Sequence, residues 1–159
     1  SRKDLSIFCR KSNLCTIEKG KEMNLPATNI SFSTAKSYLR WLTKKTNKKY
    51  RLATKGEWLY AASANRKSLD PNRNCYLRTR GIEKGEELFG VKVGQPNSWG
   101  LVNYIGNARE WVYDKGRKLV AVGGSYNSPM DSCHFNTVVS STGSADIYTG
   151  FRVLRELKN

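Results

Sequence analysis

Residues 97–112 read Asn-Ser-Trp-Gly-Leu-Val-Asn-Tyr-Ile-Gly-Asn-Ala-Arg-Glu-Trp-Val. A bend at Gly106 leads into a strand predicted over Ala108–Tyr113, so turn and strand signals meet within a few residues. Upstream, residues 50–62 read Tyr-Arg-Leu-Ala-Thr-Lys-Gly-Glu-Trp-Leu-Tyr-Ala-Ala. A short strand, Tyr50-Arg51-Leu52, precedes a helix whose start is strongly marked. Thr54-Lys55-Gly56-Glu57 is a capping box, in which hydroxyl and carboxylate each satisfy a free backbone N–H. Trp58, Ala61 and Ala62 supply that helix's apolar stripe. An earlier helix follows from Ala35, Tyr38, Leu39 and Leu42 at i, i+3, i+4 and i+7. Ser33 is its expected N-cap, and Lys44 and Lys45 suit the negative end of its dipole.

Outside these blocks the pattern weakens. Residues 1–30 read as loop with a short strand around Leu5–Phe8. Residues 63–100 read as a long excursion with turn signals at Asp70-Pro71-Asn72, Gly85 and Pro96-Asn97, a length that needs a pin or a function. Further strands are predicted over Lys118–Gly123 and Gly150–Glu156. No repeat or linker divides the chain, so one domain over 1–159 is expected.

Apolar residues make up 38% and charged residues 26% of the 159. That balance describes a globular chain and excludes collagenous, coiled-coil and disordered classes. No apolar run reaches the ~20 residues of a membrane span, and no signal-peptide pattern opens the sequence, so any export signal or anchor is expected to lie outside it. The formal net charge is +15, and residues 36–80 carry +11 of it. The cations include Lys44, Lys45, Lys48, Lys49, Arg51, Lys55, Arg66, Lys67, Arg73, Arg78 and Arg80. Such a field attracts polyanions or serves only as a solvated face; regular aromatic interleaving is missing. Four cysteines, Cys9, Cys15, Cys75 and Cys133, form no Cys-x-x-Cys, and His134 is the single histidine. Two disulfides, and with them an oxidising compartment, are the expectation. Three pairings are open; Cys9–Cys15 as a local loop with Cys75–Cys133 as a long staple is favoured.

Four blocks in order carry a family resemblance: residues 50–62, residues 97–112, Gly123-Gly124-Ser125-Tyr126 and Gly150-Phe151-Arg152-Val153. Together they resemble the strand-to-helix, Gly-Asn and Glu-Trp, Gly-Gly-Ser-aromatic and Gly-Phe-Arg signatures of the formylglycine-generating (sulfatase-modifying factor) superfamily, over residues 31–155. Residues 1–30 are left as an irregular segment. The resemblance implies an α+β, C-type-lectin-like fold: two helices, small antiparallel sheets and much loop. Pins for that loop are expected from Trp41, Trp58, Trp99 and Trp111 and from the disulfides.

Enzymes of the family oxidise a substrate cysteine with copper held by two cysteines that follow the Gly-Gly-Ser-aromatic strand. Here the two corresponding positions are Ser128 and Cys133, and a hydroxyl is a poor ligand for soft monovalent copper. The iron branch, resembling sulfoxide synthases, needs three histidines. Neither copper nor iron is therefore expected, and no catalytic residue is assigned. The family's calcium loop maps onto Asn103 and Glu110 by side chain and Gly106 and Ala108 by carbonyl, hard oxygen donors of the kind calcium takes. Arg109 stands inside that loop, where the family often has an aromatic. A ligand face is expected from Asn127, Ser128, Asp131, His134, Phe135 and Tyr148, within the loops between the Gly-Gly-Ser and Gly-Phe-Arg strands.

The function expected is a non-catalytic binding or sensor module, periplasmic or extracellular. It would be the ectodomain of a larger membrane or signalling protein, kinase-linked for instance, with a protein, small-molecule or glycan ligand. The alternatives are a receptor-binding retroelement-diversified variable protein, a residual oxidase using Cys133, and a polyanion-binding domain acting through residues 36–80.

Overall fold

Among the described residues three α-helices form where two were expected. The additional one, α1 (Arg2–Ser12), stands where a short strand around Leu5–Phe8 was expected within the loop-like residues 1–30. Ser1 and Asp4 close a capping box at its start, and Asn13 ends it in the left-handed conformation. Leu5-Ser6-Ile7 alternates like a strand, yet the buried set is Leu5, Phe8 and Cys9 while Ile7 is 45% exposed. Spacing of three and four residues, the helical period, governs this segment. The computed structural model describes residues 1–17, 20, 22–64, 73–79, 82–85 and 87–157. Arg66, Lys67, Arg80 and the Asp70-Pro71-Asn72 turn lie outside the described residues.

Helix α2 (Phe32–Thr46) buries Ala35, Tyr38 and Leu39, with Leu42 half-buried at the stripe's edge. Its N-cap is Ser31 rather than Ser33: the Thr34 N–H donates to the Ser31 hydroxyl at 3.2 Å. Two serines stand two residues apart, and only the earlier one reaches the N3 amide. Strand β1 (Tyr50–Arg51) then leads into helix α3 (Lys55–Ser63). The capping box forms as read: Thr54 N–H donates to Glu57 at 2.8 Å, and Glu57 N–H to the Thr54 hydroxyl at 3.2 Å. Trp58 and Ala62 are buried; Ala61 is only half-buried.

The cap is tied to the other end of the chain. Arg51 donates to both Glu57 oxygens at 2.7 and 2.6 Å, and to Glu156 at 2.6 Å. The Arg51 hydrogen bonds lower the Glu57 carboxyl from 4.5 to about 2. A depressed folded-state value contributes stability above the unfolded value and loses it as pH falls through the folded one. Glu57 is 39% exposed, so solvent screening leaves the pair worth ~1 kcal/mol. Glu57→Gln should therefore be less stable than wild type at pH 6 by that amount in urea denaturation. The difference should vanish between pH 4.5 and 2.

The remaining strands are short. β2 (Leu77–Thr79) and β3 (Ile82–Lys84) make an antiparallel hairpin inside the excursion that had read as loop. β4 (Arg109–Tyr113) and β5 (Leu119–Val122) confirm two predicted strands. β6 (Val138–Ser140) was not anticipated. The strand expected over residues 150–156 is two pieces, β7 (Thr149–Gly150) and β8 (Leu154–Arg155). The main sheet runs β6-β5-β4-β7, antiparallel except for the β4–β7 pair. β8 pairs with β1 and closes the chain on itself.

Both faces of β4 and β5 are covered. Trp111 and Ala121 pack with Leu39 and Leu52 under α2; Val112, Val120 and Val122 pack with Trp58 of α3. Of the four tryptophans expected as anchors, Trp58 and Trp111 are buried, but Trp99 is 42% exposed and leans on Tyr60 at 4.7 Å between ring centroids. Trp41 rests on Phe8 and Tyr38. Both favoured disulfides are present, Cys9–Cys15 and Cys75–Cys133. No helix among the described residues is long and apolar enough to cross a membrane.

Candidate functional site

Strand β5 is followed by Gly123-Gly124, both with positive φ. A Cβ on Gly124 would stand 2.8 Å from Cys133 Sγ and 3.6 Å from Ser128 Cβ. Positions 128 and 133 therefore converge on one glycine, and nothing larger fits between them. The Ser125 N–H donates to the Ser128 hydroxyl at 2.9 Å, and the two hydroxyls lie 3.2 Å apart. Cys133 is fully buried, its sulfur bonded to Cys75. Backbone pairs reinforce that bond: Tyr76 N–H donates to the Ser128 carbonyl and Met130 N–H to the Tyr76 carbonyl, each at 2.8 Å.

This donor set does not fit copper. One position offers a neutral hydroxyl already engaged by Ser125, the other a sulfur with no thiolate to give. Iron fits no better: His134 Nε2 sits 2.7 Å from the Asp131 backbone carbonyl. Among the described residues no three His, Cys, Asp or Glu side chains gather as metal ligands.

The six expected ligand-face residues divide. Asn127 and Asp131 are exposed, and Ser128 and His134 half-buried. Phe135 instead packs inward, against Trp58's cluster and the disulfide. Tyr148 joins a group that the sequence reading left incomplete. Its ring lies 5.5 Å from Tyr126, and the Arg109 guanidinium sits 5.6 Å over its face. Arg109 also donates to the Thr149 hydroxyl at 2.8 Å and faces Asp146 at 3.5 Å. Arg109 and Tyr126 were missed as members of the face. The available signal was Arg109 itself, standing where the family often has an aromatic. Burial, and then Tyr148, push the Tyr126 phenol's pKa upward. Tyr126 and Ile147 also edge a depression of about 600 Å³ whose far side is Thr28 and Asn29.

The expected calcium set is disposed differently from a metal loop. Asn103 donates to the Gly90 carbonyl at 3.2 Å. Glu110 is buried, and both of its oxygens are taken. Arg152 donates to Oε1 at 2.8 Å through Nη2 and to Oε2 at 3.0 Å through Nε, and the Trp58 indole N–H reaches Oε2 at 2.7 Å. Calcium at Glu110 would compete with the Arg152 guanidinium for this carboxylate. As arranged, Glu110 is committed to an ion pair with Arg152. Gly106, φ 74, serves packing: a Cβ there would clash with the Asn74 carbonyl oxygen. Asn103, Ala108, Glu110 and Arg152 line a cavity of about 330 Å³ closed by Phe151 and Tyr38.

A family model of the sulfatase-modifying factor enzyme 1-like domain matches residues 6–157, and the chain belongs to that family. Its fold is similar to that of PvdO from Pseudomonas aeruginosa, with a TM-score of 0.75 at 20% identity over 98% of this chain and 77% of that one. CarF is similar at a TM-score of 0.67 and 23% identity, covering 91% of this chain and 72% of its own. Treponema denticola variable protein 1 is similar at 0.68 and 18%, covering 89% and 75%. No curated protein matches the sequence.

Proposed function

We propose that this chain is a binding module of the sulfatase-modifying factor family that has given up oxidation chemistry. One observation carries the reading: where the resemblance expects two thiols, Ser128 offers a hydroxyl and Cys133 is locked to Cys75 in the interior. The ligand surface is the rim of Asn127, Asp131 and His134 together with the Tyr126–Tyr148–Arg109 group. Its paired, mutually tilted rings and fixed cation give rigid contact area at low entropic cost, and a protein or glycan segment with an acidic or aromatic group suits it. Two disulfides and the pairing of all four cysteines support an exported setting, in keeping with a sensor ectodomain.

Thiol titration tests the premise directly. The native protein and the denatured, unreduced protein should both show fewer than ~0.1 reactive thiols per chain, and copper(I) should be bound no more tightly than by a cysteine-free protein. One reactive thiol per chain in the native state, retaining copper(I), would favour the oxidase reading instead.

A further inference from the structure

The cationic excess of residues 36–80 is not spread evenly over a face; part of it rims a cleft. Lys36, Arg40 and Lys44 stand at i, i+4 and i+8 of α2, a row ~12 Å long. They border a cavity of about 830 Å³ between α2, β1 and the turn joining β4 to β5, where Arg117 closes the opposite side. Such a volume suits a metabolite-sized ligand. Leu39, Tyr50, Leu52 and Tyr113 form its floor, and the hydrocarbon stems of the α2 cations extend that apolar surface.

Four of the cations at this cleft are uncompensated. Lys49 and Arg51, also at the cleft, are paired with Glu156 and Glu57, and Asp114 is taken by Lys55 at 3.0 Å. Lys36 and Arg117 only overlie the rings of Phe32 and Tyr113, each at 5.5 Å, and Arg40 donates to the Ser37 hydroxyl. Among the described residues none of Lys36, Arg40, Lys44 and Arg117 forms an ion pair. Four exposed cations beside an apolar floor are complementary to a ligand that is itself anionic at one end and hydrocarbon at the other. A bare anion would leave the floor wet, and a neutral apolar body would leave the cations unmatched.

We propose that this cleft binds an amphiphilic organic anion, its phosphate-type head against Arg40 and Lys44 and its apolar part over Leu52 and Tyr113. The site is separate from the Tyr126–Tyr148 face and stands or falls independently of it.

Calorimetric titration with dodecyl phosphate below its micellar concentration tests this, with inorganic phosphate and dodecyl maltoside as head-only and tail-only comparators. One dodecyl phosphate should bind per chain, at least tenfold more tightly than either comparator. Arg40→Gln with Lys44→Gln should weaken it at least tenfold, since charge-assisted hydrogen bonds are the strong ones. Both residues are exposed, so the fold is not at stake. Lys45→Gln with Lys48→Gln removes the same charge from outside the cleft and should change affinity less than twofold. Equal weakening by both pairs would assign the binding to the diffuse field and overturn the site. Equal affinity for either comparator, or no saturable binding of dodecyl phosphate, would overturn it as well.

Discussion

Replacing Cys75 and Cys133 by alanine should lower the unfolding free energy by about 4 kcal/mol, because the crosslink closes a loop of 58 residues. Removing Cys9 and Cys15, six residues apart, should cost only about 2 kcal/mol by the same chain-entropy arithmetic. The long staple matters for a second reason. Both of its sulfurs are fully buried, and Gly106 and Gly124 pack against them with no room for a Cβ, so the truncation also opens a void. In thermal unfolding the long-loop variant should fall by roughly 10 °C or more, and the short-loop variant by about half as much. Equal losses would show that the 128–133 segment is held by its backbone pairs alone.

The second large effect falls on Glu110 and Arg152. Arg152→Met should destabilise by about 3 kcal/mol, at the low end for a broken buried pair because Arg152 is 38% exposed. Glu110→Gln should cost less. The amide keeps the Trp58 indole's hydrogen bond, and the stranded guanidinium has solvent to turn to, whereas a stranded Glu110 carboxylate does not. Urea denaturation of the two variants reads this asymmetry. Millimolar calcium should leave the wild-type midpoint unchanged. A calcium-dependent rise would mean that the ion displaces Arg152, contrary to the arrangement described above.

Local signals were the legible ones. The Thr54–Glu57 box, the α2 stripe and the β4 and β5 strands were all readable because their causes lie within a few residues. Helix α1 was missed although Ser1 and Asp4 carry a local capping signal: Leu5-Ser6-Ile7 satisfies a strand's period, and the packing of Leu5 and Phe8 with Tyr38 and Ile30 shows the helical one. β6 was missed because all three of its residues are exposed, so it shows no alternation. The site was legible where a family block fixed the spacing: Ser128 and Cys133 do converge on Gly124. It was illegible where partners are distant in sequence. Glu110 and Arg152 each stood in a quoted block, but their pairing across 42 residues could not be read from either block alone. The basic excess was visible as composition, whereas the cleft that gathers it needs residues from 36 to 117.

Incubating the purified protein aerobically with copper and a cysteine-containing peptide, and weighing the peptide by mass spectrometry, tests the loss of oxidation chemistry most directly. Unchanged cysteine is the predicted result. Catalytic turnover to the aldehyde, absent from a copper-only control, would contradict it.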